Sequence, residues 1–421
     1  MQSAAAFTRA DVAYLSSAAG AADLDDVARY RLTDDTLVAD AAAIRARFGP
    51  RAGVLVETTL LRRRAAAKFD AAAAAGWLFT DEALEQATAA PVARHHAQRL
   101  AGKTVHDATC SVGTELAALR TTAARVIGSD IDEVRLAMAR HNLGPDVMLC
   151  RADALKPVSR DTVVLLDPAR RSGGRRLIDP RAYIPPLDVL LEVYRDRAAV
   201  IKCAPALDFD SVRRLGFDGE IEVTSSGGSV RKTCLWSPQL ADPGVRRRAT
   251  LLDRGEVLTD ADPDDCDVAS PGRWIIDPDG AVVGAGLVRH YAARHGLWQL
   301  DPAIAYLSGN QLPAGVGGFE ILDQLSVREE VLRQALSAHD CGSVEILVRG
   351  VDLDPDALRR RLRLAGHAPL ALVITRIRSG AQSRDVAFLC RAASDDASGP
   401  PQRPPETPVP PVTPVTPVTL P

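Results

Sequence analysis

Paired cysteines are missing from this sequence of 421 residues. Its seven cysteines are scattered and odd in number, and no two of them stand in a C-x-x-C spacing. Disulfide-stapled domains and zinc modules need paired cysteines, so we predict neither a disulfide framework nor a bound metal. Unpaired thiols persist in reducing compartments, which favours the cytoplasm.

Long apolar runs and a strong net charge are lacking as well. Apolar stretches such as 71–75 are short and rich in alanine, and the first residues have no basic start with a long apolar core. We therefore expect neither a membrane-spanning segment nor a secretion signal. The formal net charge of −3 gives no global attraction to nucleic acid, so RNA contacts would have to come from local basic patches.

The chain is too long for one ordinary core, and its pattern changes along its length. Residues 1–98 repeat Ala, Leu and Arg at helical spacing and predict a helical domain. Residues 99–238 alternate short apolar strands with helices, and 239–393 predict a small α+β domain. Residues 394–421 are rich in Pro, Thr and Val and end in Val-Thr-Pro repeats; such a segment cannot bury a core and predicts a mobile tail.

The middle region predicts a mostly parallel sheet covered by helices on both faces. We assign strands to 103–108, 125–130, 146–150, 161–167, 198–203, 219–224 and 230–236. Helices are expected near 113–122, 132–142, 185–195 and 209–215. Only the short turn 225–229 joins the last two strands, which suits an antiparallel hairpin at the sheet edge.

Acidic side chains follow these strands at their carboxyl ends. Asp107, Asp130, Asp153 and Asp167 each come after a short β-branched run. Open α/β sheets bind their ligands at that edge. Asp130 stands about 20 residues beyond the first turn, the spacing of ribose-binding acids in dinucleotide folds, although the alternative is a helix cap, a task that suits Asp132 better.

The first of these turns fits a nucleoside-type ligand. Gly113 allows a sharp passage from strand to helix, although Ser111 stands where a first glycine would be. The G-x-x-x-x-G-K-S/T pattern is absent, which disfavours a nucleoside triphosphatase. The acids thus favour an adenosine ligand without a pyrophosphate.

Four segments resemble the successive motifs of class I S-adenosylmethionine-dependent methyltransferases: Asp107 to Thr114, Val126 to Asn142, Asp153, and Asp167 to Arg170. Residues 296–307 and 349–352 resemble the THUMP-like domain that accompanies such enzymes in actinobacteria. The resemblance covers roughly 100–393. It implies a Rossmann-like, seven-stranded α/β methyltransferase domain between a helical N-terminal domain and a small α+β THUMP-like domain, with S-adenosyl-L-methionine as the cofactor.

The resemblance also implies roles for single residues. Asp107 and Gly113 would hold the methionine end of the cofactor, with Thr109 beside them. Asp130 would bind the ribose, with Ile131 next to it, and Asp153 would bind the adenine. Asp167 and Pro168 would face the methyl acceptor as the catalytic pair.

The acceptor motif departs from that of related enzymes acting on exocyclic amines, because Asp167-Pro168-Ala169 is followed by arginines and not by an aromatic residue. It looks closer to the Asp-Pro-Pro-Arg form of enzymes that methylate ring positions of RNA bases. Arg170, Arg171 and Arg175 would contact RNA, or alternatively form a solvated loop.

Three further features stay open. Cys203 is either a nucleophile, as in uracil-C5 methyltransferases, or a buried small residue. The basic segment 60–69 is either a solvated helix face or a phosphate-contacting one. Arginines of the third domain either form an RNA surface or are neutralised by neighbouring acids; they are Arg349, Arg359, Arg360, Arg361 and Arg363.

We therefore predict methyl transfer to a base in structured RNA, tRNA or rRNA. The alternatives are a catalytically silent RNA-binding or assembly protein that retains the fold, and a small-molecule methyltransferase. The sequence does not predict an oligomeric state.

Overall fold

The computed structural model describes residues 7–69, 71–169, 171–172, 175–176, 179–379 and 382–393. Internal contacts divide the chain into two compact units. The first comprises Met1–Asp267 with Pro278–Leu297, and the second comprises Val268–Asp277 with Trp298–Pro421. No helix of the described residues combines the length and the apolar character needed to cross a membrane.

The first unit begins with helices, as the spacing of Ala and Leu predicts. They are α1 (Arg9–Leu15), α2 (Ala18–Ala28), α3 (Leu37–Phe48), α4 (Ala52–Ala65), α5 (Ala71–Gly76), α6 (Asp81–Gln86) and α7 (Ala90–Arg99). Thr8, Ser17 and Thr80 start α1, α2 and α6 by accepting a backbone N–H with their side-chain oxygens. Leu15, Ile44 and Leu55 are fully buried where these helices pack together.

Arginines of the basic segment 60–69 bind backbone carbonyls, while Arg63 and Arg64 stay exposed, as the interpretation as a solvated helix face expects. Arg63 Nη2 donates to Ala28 O (3.0 Å) and to Tyr30 O (2.7 Å), and Arg62 Nε donates to Trp77 O (2.9 Å). The unpaired carbonyls at a helix end need such donors. This segment therefore holds the helical region together.

A nine-stranded sheet follows the helices in the first unit, with strand order β11-β10-β8-β9-β7-β4-β1-β2-β3. Its strands are β1 (Thr104–Asp107), β2 (Arg125–Asp130), β3 (Met148–Arg151), β4 (Val163–Leu166), β7 (Ala199–Cys203), β8 (Glu220–Ser226), β9 (Ser229–Trp236), β10 (Arg247–Leu251) and β11 (Glu256–Thr259). The helices are α8 (Thr114–Leu119), α9 (Glu133–Leu143), α10 (Leu187–Val193), α11 (Phe209–Arg214), α12 (Gly280–Ala285) and α13 (Val288–His295). A separate pair, β5 (Arg171–Ser172) and β6 (Arg175–Arg176), is antiparallel.

The seven predicted strands are all present, and their central pairs are parallel as expected. β1 pairs in parallel with β2 and β4, and β4 pairs in parallel with β7. Parallel pairing aligns the carboxyl ends of these strands along one edge of the sheet. The acids predicted to follow them are therefore brought to the same edge.

The place predicted for the hairpin β8–β9 is wrong, although the antiparallel pairing itself is confirmed. β9 lies between β7 and β8, and β10 covers the outer side of β8 in parallel. Residues 247–251 form a short strand, although the predicted domain boundary at 238/239 placed them in the third domain. They and β11 extend the large sheet, so the first unit continues past that boundary.

In its described residues, the second unit has a seven-stranded sheet, in the order β13-β14-β12-β15-β18-β17-β16, and two helices. Its elements are β12 (Trp274–Ile276), β13 (Trp298–Gln299), β14 (Leu307–Gly309), β15 (Phe319–Ser326), α14 (Glu329–Ala338), β16 (Cys341–Arg349), α15 (Pro355–Leu362), β17 (Ala368–Ser379) and β18 (Gln382–Ala392). Both helices bury leucines against this sheet; Leu336 and Leu362 are fully buried.

Three of the arginines considered as an RNA surface of the second unit have acidic partners. Arg349 Nη2 lies 2.7 Å from Asp277 Oδ1, and Arg361 Nε lies 3.1 Å from Glu329 Oε2. Arg359 Nη1 pairs with Asp356 at the start of the same helix. These pairs favour the interpretation in which neighbouring acids neutralise the patch.

Candidate active site

A cavity of about 550 Å³ opens at the carboxyl ends of β1, β2, β4 and β7. Its volume suits a small-molecule ligand. Most of the residues that the sequence singles out line it together: Asp107, Thr109, Asp130, Ile131, Asp153 and Asp167. The structure thus brings residues from four separate segments of the chain to one place.

The remaining predicted residues lie elsewhere or outside the description. Gly113 and Pro168 are not among the lining residues. Arg170 lies outside the described residues. The backbones of Arg171 and Arg175 belong to the β5–β6 pair, but their side chains also lie outside the description.

Gly113 shapes the turn before α8 without lining the cavity. Its φ is +89°, in the left-handed region, and an added Cβ would lie 2.6 Å from Leu143 Cδ1. Any larger residue would meet both backbone strain and a clash there. The residue therefore acts on the cavity through the path of the backbone.

Ser111 has a left-handed backbone too, with φ of +50°. The loop thus adopts a glycine-type conformation at the position where a glycine was expected and a serine stands. Its N–H donates to Asp130 Oδ2 at 2.9 Å, which fixes the first turn to the end of β2. The departure from the motif does not prevent the turn.

Replacing Ser111 with glycine is expected to stabilise the protein by up to about 1 kcal/mol, because a side chain in the left-handed region costs roughly 1–2 kcal/mol and glycine returns part of that as unfolded-state entropy. The thermal unfolding midpoint would measure the gain. Ser111→Val is the matched control and is expected to shift the midpoint downwards. A midpoint lowered by Ser111→Gly would contradict the strain argument.

Asp107 and Glu115 are the most buried of the lining acids, each with 3% of its surface exposed. Asp107 Oδ1 accepts the N–H of Thr109 at 3.1 Å. Burial raises the pKa of Asp107 to about 7; the Lys202 ammonium opposes this rise, while the carboxylate of Glu115 adds to it. Asp107 thus titrates near neutral pH.

The sequence leaves open whether Asp130 or Asp132 caps α9 and which of them is available to a ligand. Asp132 Oδ1 accepts the N–H groups of Val134 and Arg135 and caps α9, as predicted. Asp130 accepts one N–H on each oxygen, from Ser111 (2.9 Å) and Asp132 (2.9 Å). A carboxylate offers about four lone-pair sites, so Asp130 retains acceptor capacity towards the cavity.

Hydrogen bonds also fix the turns after β3 and β4. Asp153 Oδ1 accepts the N–H of Leu155 at 2.9 Å. Thr109 Oγ1 accepts the N–H of Asp167 at 2.7 Å and so ties the turn after β1 to the turn after β4. The positions of the lining acids are therefore set before any ligand arrives.

A buried ionic cluster, formed by Lys202, Glu115 and His96, supports the floor of the cavity. Lys202 Nζ lies 2.6 Å from Glu115 Oε2, 2.9 Å from Thr88 Oγ1 and 3.6 Å from Asp167 Oδ2. His96 Nδ1 lies 2.7 Å from Glu115 Oε1. All three members are at least 97% buried, and the sequence analysis gave the cluster no role.

The charges within this cluster follow from its geometry. Burial opposes ionisation of Glu115, but Lys202 and then His96 hold the pKa of Glu115 well below its usual value. Burial likewise opposes the ammonium, yet Glu115 and Asp167 raise the pKa of Lys202. Burial lowers the pKa of His96, so the neutral ring donates from Nδ1 to the carboxylate.

The N-terminal helices contribute one wall of the cavity, which the sequence analysis did not foresee. Glu82 and Gln86 of α6, with Thr88 just beyond it, line the cavity. Arg135 Nη2 of α9 lies 2.6 Å from Glu82 Oε2 and joins this wall to the sheet side. Asn142 adds a second tie, since it accepts the Leu78 N–H (2.8 Å) and donates to Leu78 O (2.9 Å).

Cys203 does not face the cavity. Its exposed fraction is 0%, and it is not a lining residue. Its Sγ lies 3.9 Å from Ile201 O, within the strand. The structure favours a buried small residue over a nucleophile that attacks a bound base.

The charge and shape of the cavity fit a cationic adenosine ligand. Its described lining holds more acids than bases: Glu82, Asp107, Glu115, Asp130, Asp132, Asp153 and Asp167, against Arg135 and Lys202. Both bases are engaged in ion pairs, so negative charge remains for a sulfonium and an ammonium group. Ile131, 63% exposed, offers an apolar face of the kind that covers an adenine ring.

Curated relatives show the family to which this chain belongs. Two curated proteins of Mycobacterium tuberculosis, from strain CDC 1551 / Oshkosh and strain H37Rv, are each 64% identical over 355 residues. The match covers 83% of this chain and 99% of each relative, and both are named uncharacterized S-adenosylmethionine-dependent methyltransferases. The family model "THUMP domain-like" matches residues 316–392.

A solved structure shares the fold. The crystal structure of an inferred methyltransferase from Porphyromonas gingivalis W83 superposes with a TM-score of 0.68 at 17% identity. The match covers 93% of this chain and 100% of that chain.

Proposed function

The chain belongs to the S-adenosylmethionine-dependent methyltransferase family, and on that premise we propose that it methylates a base in structured RNA, tRNA or rRNA, in the cytoplasm. The cofactor is S-adenosyl-L-methionine. The observation that supports a macromolecular acceptor is the THUMP-like match at 316–392, a domain that resembles an RNA-binding one. The Arg-rich segment directly after Asp167 and Pro168 adds to this support.

The proposed roles of the lining residues follow from their positions. Asp107, with Thr109, receives the methionine end; Asp130 receives the ribose diol, Ile131 and Asp153 the adenine. Gly113 acts by shaping the first turn. Pro168 fixes the backbone after Asp167, and Arg170, Arg171 and Arg175 receive the RNA. A helical domain at 1–98 followed by a methyltransferase domain, a THUMP-like domain and a tail at 394–421 remains a proposal, with the boundary predicted at 238/239 moved beyond β10 and β11, which belong to the large sheet.

When bound, the cofactor supplies a methyl group already activated on a sulfonium. The protein therefore needs to align the acceptor atom with the methyl group, and it needs no nucleophilic side chain of its own. Alignment of this kind contributes roughly 7–11 kcal/mol to barrier reduction in well-oriented reactions. Asp167 is placed for this task, since its N–H is fixed by Thr109 and its carboxylate faces the cavity.

Transfer of tritiated methyl from the cofactor to total RNA of a strain lacking the gene tests the proposal. We expect the purified protein to label RNA from that strain and to leave wild-type RNA, already modified, unlabelled. Asp167→Asn is expected to bind the cofactor normally and to transfer at least about tenfold less, because the acceptor loses its orienting anion. Mass spectrometry of the nucleosides would then identify the base.

Two outcomes would contradict the proposal. Cofactor binding with no label in RNA or metabolites would favour the catalytically silent RNA-binding protein. Ser111 gives no support to that alternative, because it adopts the backbone conformation expected of a glycine at this position. Label confined to small metabolites would favour the small-molecule methyltransferase.

A further inference from the structure

Asp167 has a second lysine partner, which comes from the reversed strand of the sheet. Lys232 Nζ lies 3.3 Å from Asp167 Oδ1 and 3.2 Å from Oδ2. The Lys232 side chain is only 5% exposed. One ammonium thus spans both oxygens of the carboxylate that faces the acceptor end of the cavity.

The topology explains why a lysine of β9 reaches this point. β9 is antiparallel to β7, with Thr233 paired to Cys203 and Cys234 to Lys202. The first residues of β9 therefore lie at the edge where the parallel strands end. Lys232 stands one residue before the last of these pairs, beside the turn that carries Asp167.

Charged groups approach Asp167 from four elements of the described structure. Lys232 of β9 contacts it, and Lys202 of β7 lies 3.6 Å away, itself held by Glu115. Lys68, beyond the end of α4, interacts with Asp167 through charge, and Asp107 of β1 opposes it as a like charge. Among the described residues, two ammonium groups lie within 4 Å of the carboxylate oxygens, which favours its ionised form.

We propose that Lys232 is a positioning residue of the transfer site, which keeps the Asp167 carboxylate ionised and oriented towards a nitrogen acceptor. This inference rests on the proposed methyl transfer. An ionised carboxylate can only accept hydrogen bonds, so it selects an acceptor atom that carries an N–H. Cys203 is buried and does not line the cavity, so its thiol could not add to a base carbon, which agrees with a nitrogen acceptor.

Methyl transfer to a nitrogen needs no reactant besides the cofactor, the acceptor and Asp167. The nitrogen lone pair forms the new N–C bond as the S–C bond breaks, and the bonding pair of that bond stays on sulfur. The methylated nitrogen carries the positive charge until its proton passes to Asp167 and then to solvent. A carboxylate stabilised by Lys232 is a weak base, but the proton on a cationic nitrogen is acidic enough for it.

Carbon-13 NMR of protein labelled at aspartate Cγ tests the positioning role without any acceptor. Asp167→Asn identifies the resonance. The native protein provides the reference titration of that resonance. In Lys232→Met the titration midpoint of Asp167 is expected to rise by about 1–3 pH units, the usual effect of one adjacent cation.

Two further variants separate positioning from a general loss of structure. Lys232→Arg keeps the charge and is expected to restore the native titration. Lys68→Met removes a more distant charge and is expected to shift the midpoint less than Lys232→Met does. An unchanged midpoint in Lys232→Met, or no rescue by Lys232→Arg, would overturn the proposal.

The activity readout then distinguishes this inference from the proposed function. With total RNA as acceptor, Lys232→Met is expected to lower kcat and to move the acid limb of its pH profile upwards, with unchanged cofactor affinity. If RNA is not methylated but the NMR shift occurs, the RNA proposal fails while the role of Lys232 towards Asp167 stands. If RNA is methylated and the shift is absent, the opposite holds.

Discussion

Replacing Lys202 with methionine is expected to lower the free energy of unfolding by about 3–5 kcal/mol, the usual cost of leaving one member of a buried ion pair without its partner. Glu115 is 97% buried and would keep only the neutral His96 beside it. Urea unfolding followed by tryptophan fluorescence would measure the change, because Trp236 packs against His96 with ring centroids 6.1 Å apart.

A second substitution distinguishes the loss of charge pairing from a loss of packing. In Lys202→Met/Glu115→Gln the uncompensated charge is gone, and the Gln carbonyl still accepts the His96 N–H. We expect the double variant to be at least about 2 kcal/mol more stable than the sum of the single variants predicts. Lys156→Met, at an exposed lysine, is the control and is expected to change stability by less than about 0.5 kcal/mol. Additive effects of Lys202→Met and Glu115→Gln would contradict the ion-pair account.

Local patterns explain which parts of the fold could be predicted. β1, β2 and β4 are short runs with β-branched residues that end at, or directly before, an acid, and both signals lie within a few residues of one another. Asp107, Asp130 and Asp167 could therefore be placed at one edge without knowledge of the tertiary structure. The antiparallel hairpin of β8 and β9 was predicted on the same ground, since its turn is local.

Long-range pairing explains what was missed. β8 is not an edge strand because β10 pairs with its outer side, and no local pattern indicates that pairing. Lys202 and Glu115 stand 87 residues apart in the chain, and Arg63 reaches a carbonyl 33 residues away. A lysine within the apolar run of β7 was the available signal, because a charge in a buried strand requires a partner.

The affinity for S-adenosylmethionine is expected to depend on pH through Asp107. Burial raises the pKa of this carboxyl to about 7, so below pH 7 the folded protein holds it neutral and it cannot pair with the ammonium of the methionine end. The affinity should therefore fall about tenfold per pH unit below pH 7. Above about pH 8 the α-amino group of the cofactor loses its own proton, so the affinity should peak between these values.

Asp107→Asn should weaken cofactor binding about 10- to 100-fold at the optimum and remove the acid limb, because its amide stays neutral at every pH. Isothermal titration across pH 5.5–9 would measure both effects. 5′-Methylthioadenosine is the matched ligand, since it keeps the adenosine and lacks the ammonium, and its affinity is expected to vary little between pH 6 and 8. The same acid limb for both ligands would assign the titration to another group and remove Asp107 from the methionine end. An affinity for the full cofactor that does not change with pH would mean that Asp107 is ionised over the whole range. The nearby ammonium of Lys202 would then offset the effect of burial on the pKa of Asp107.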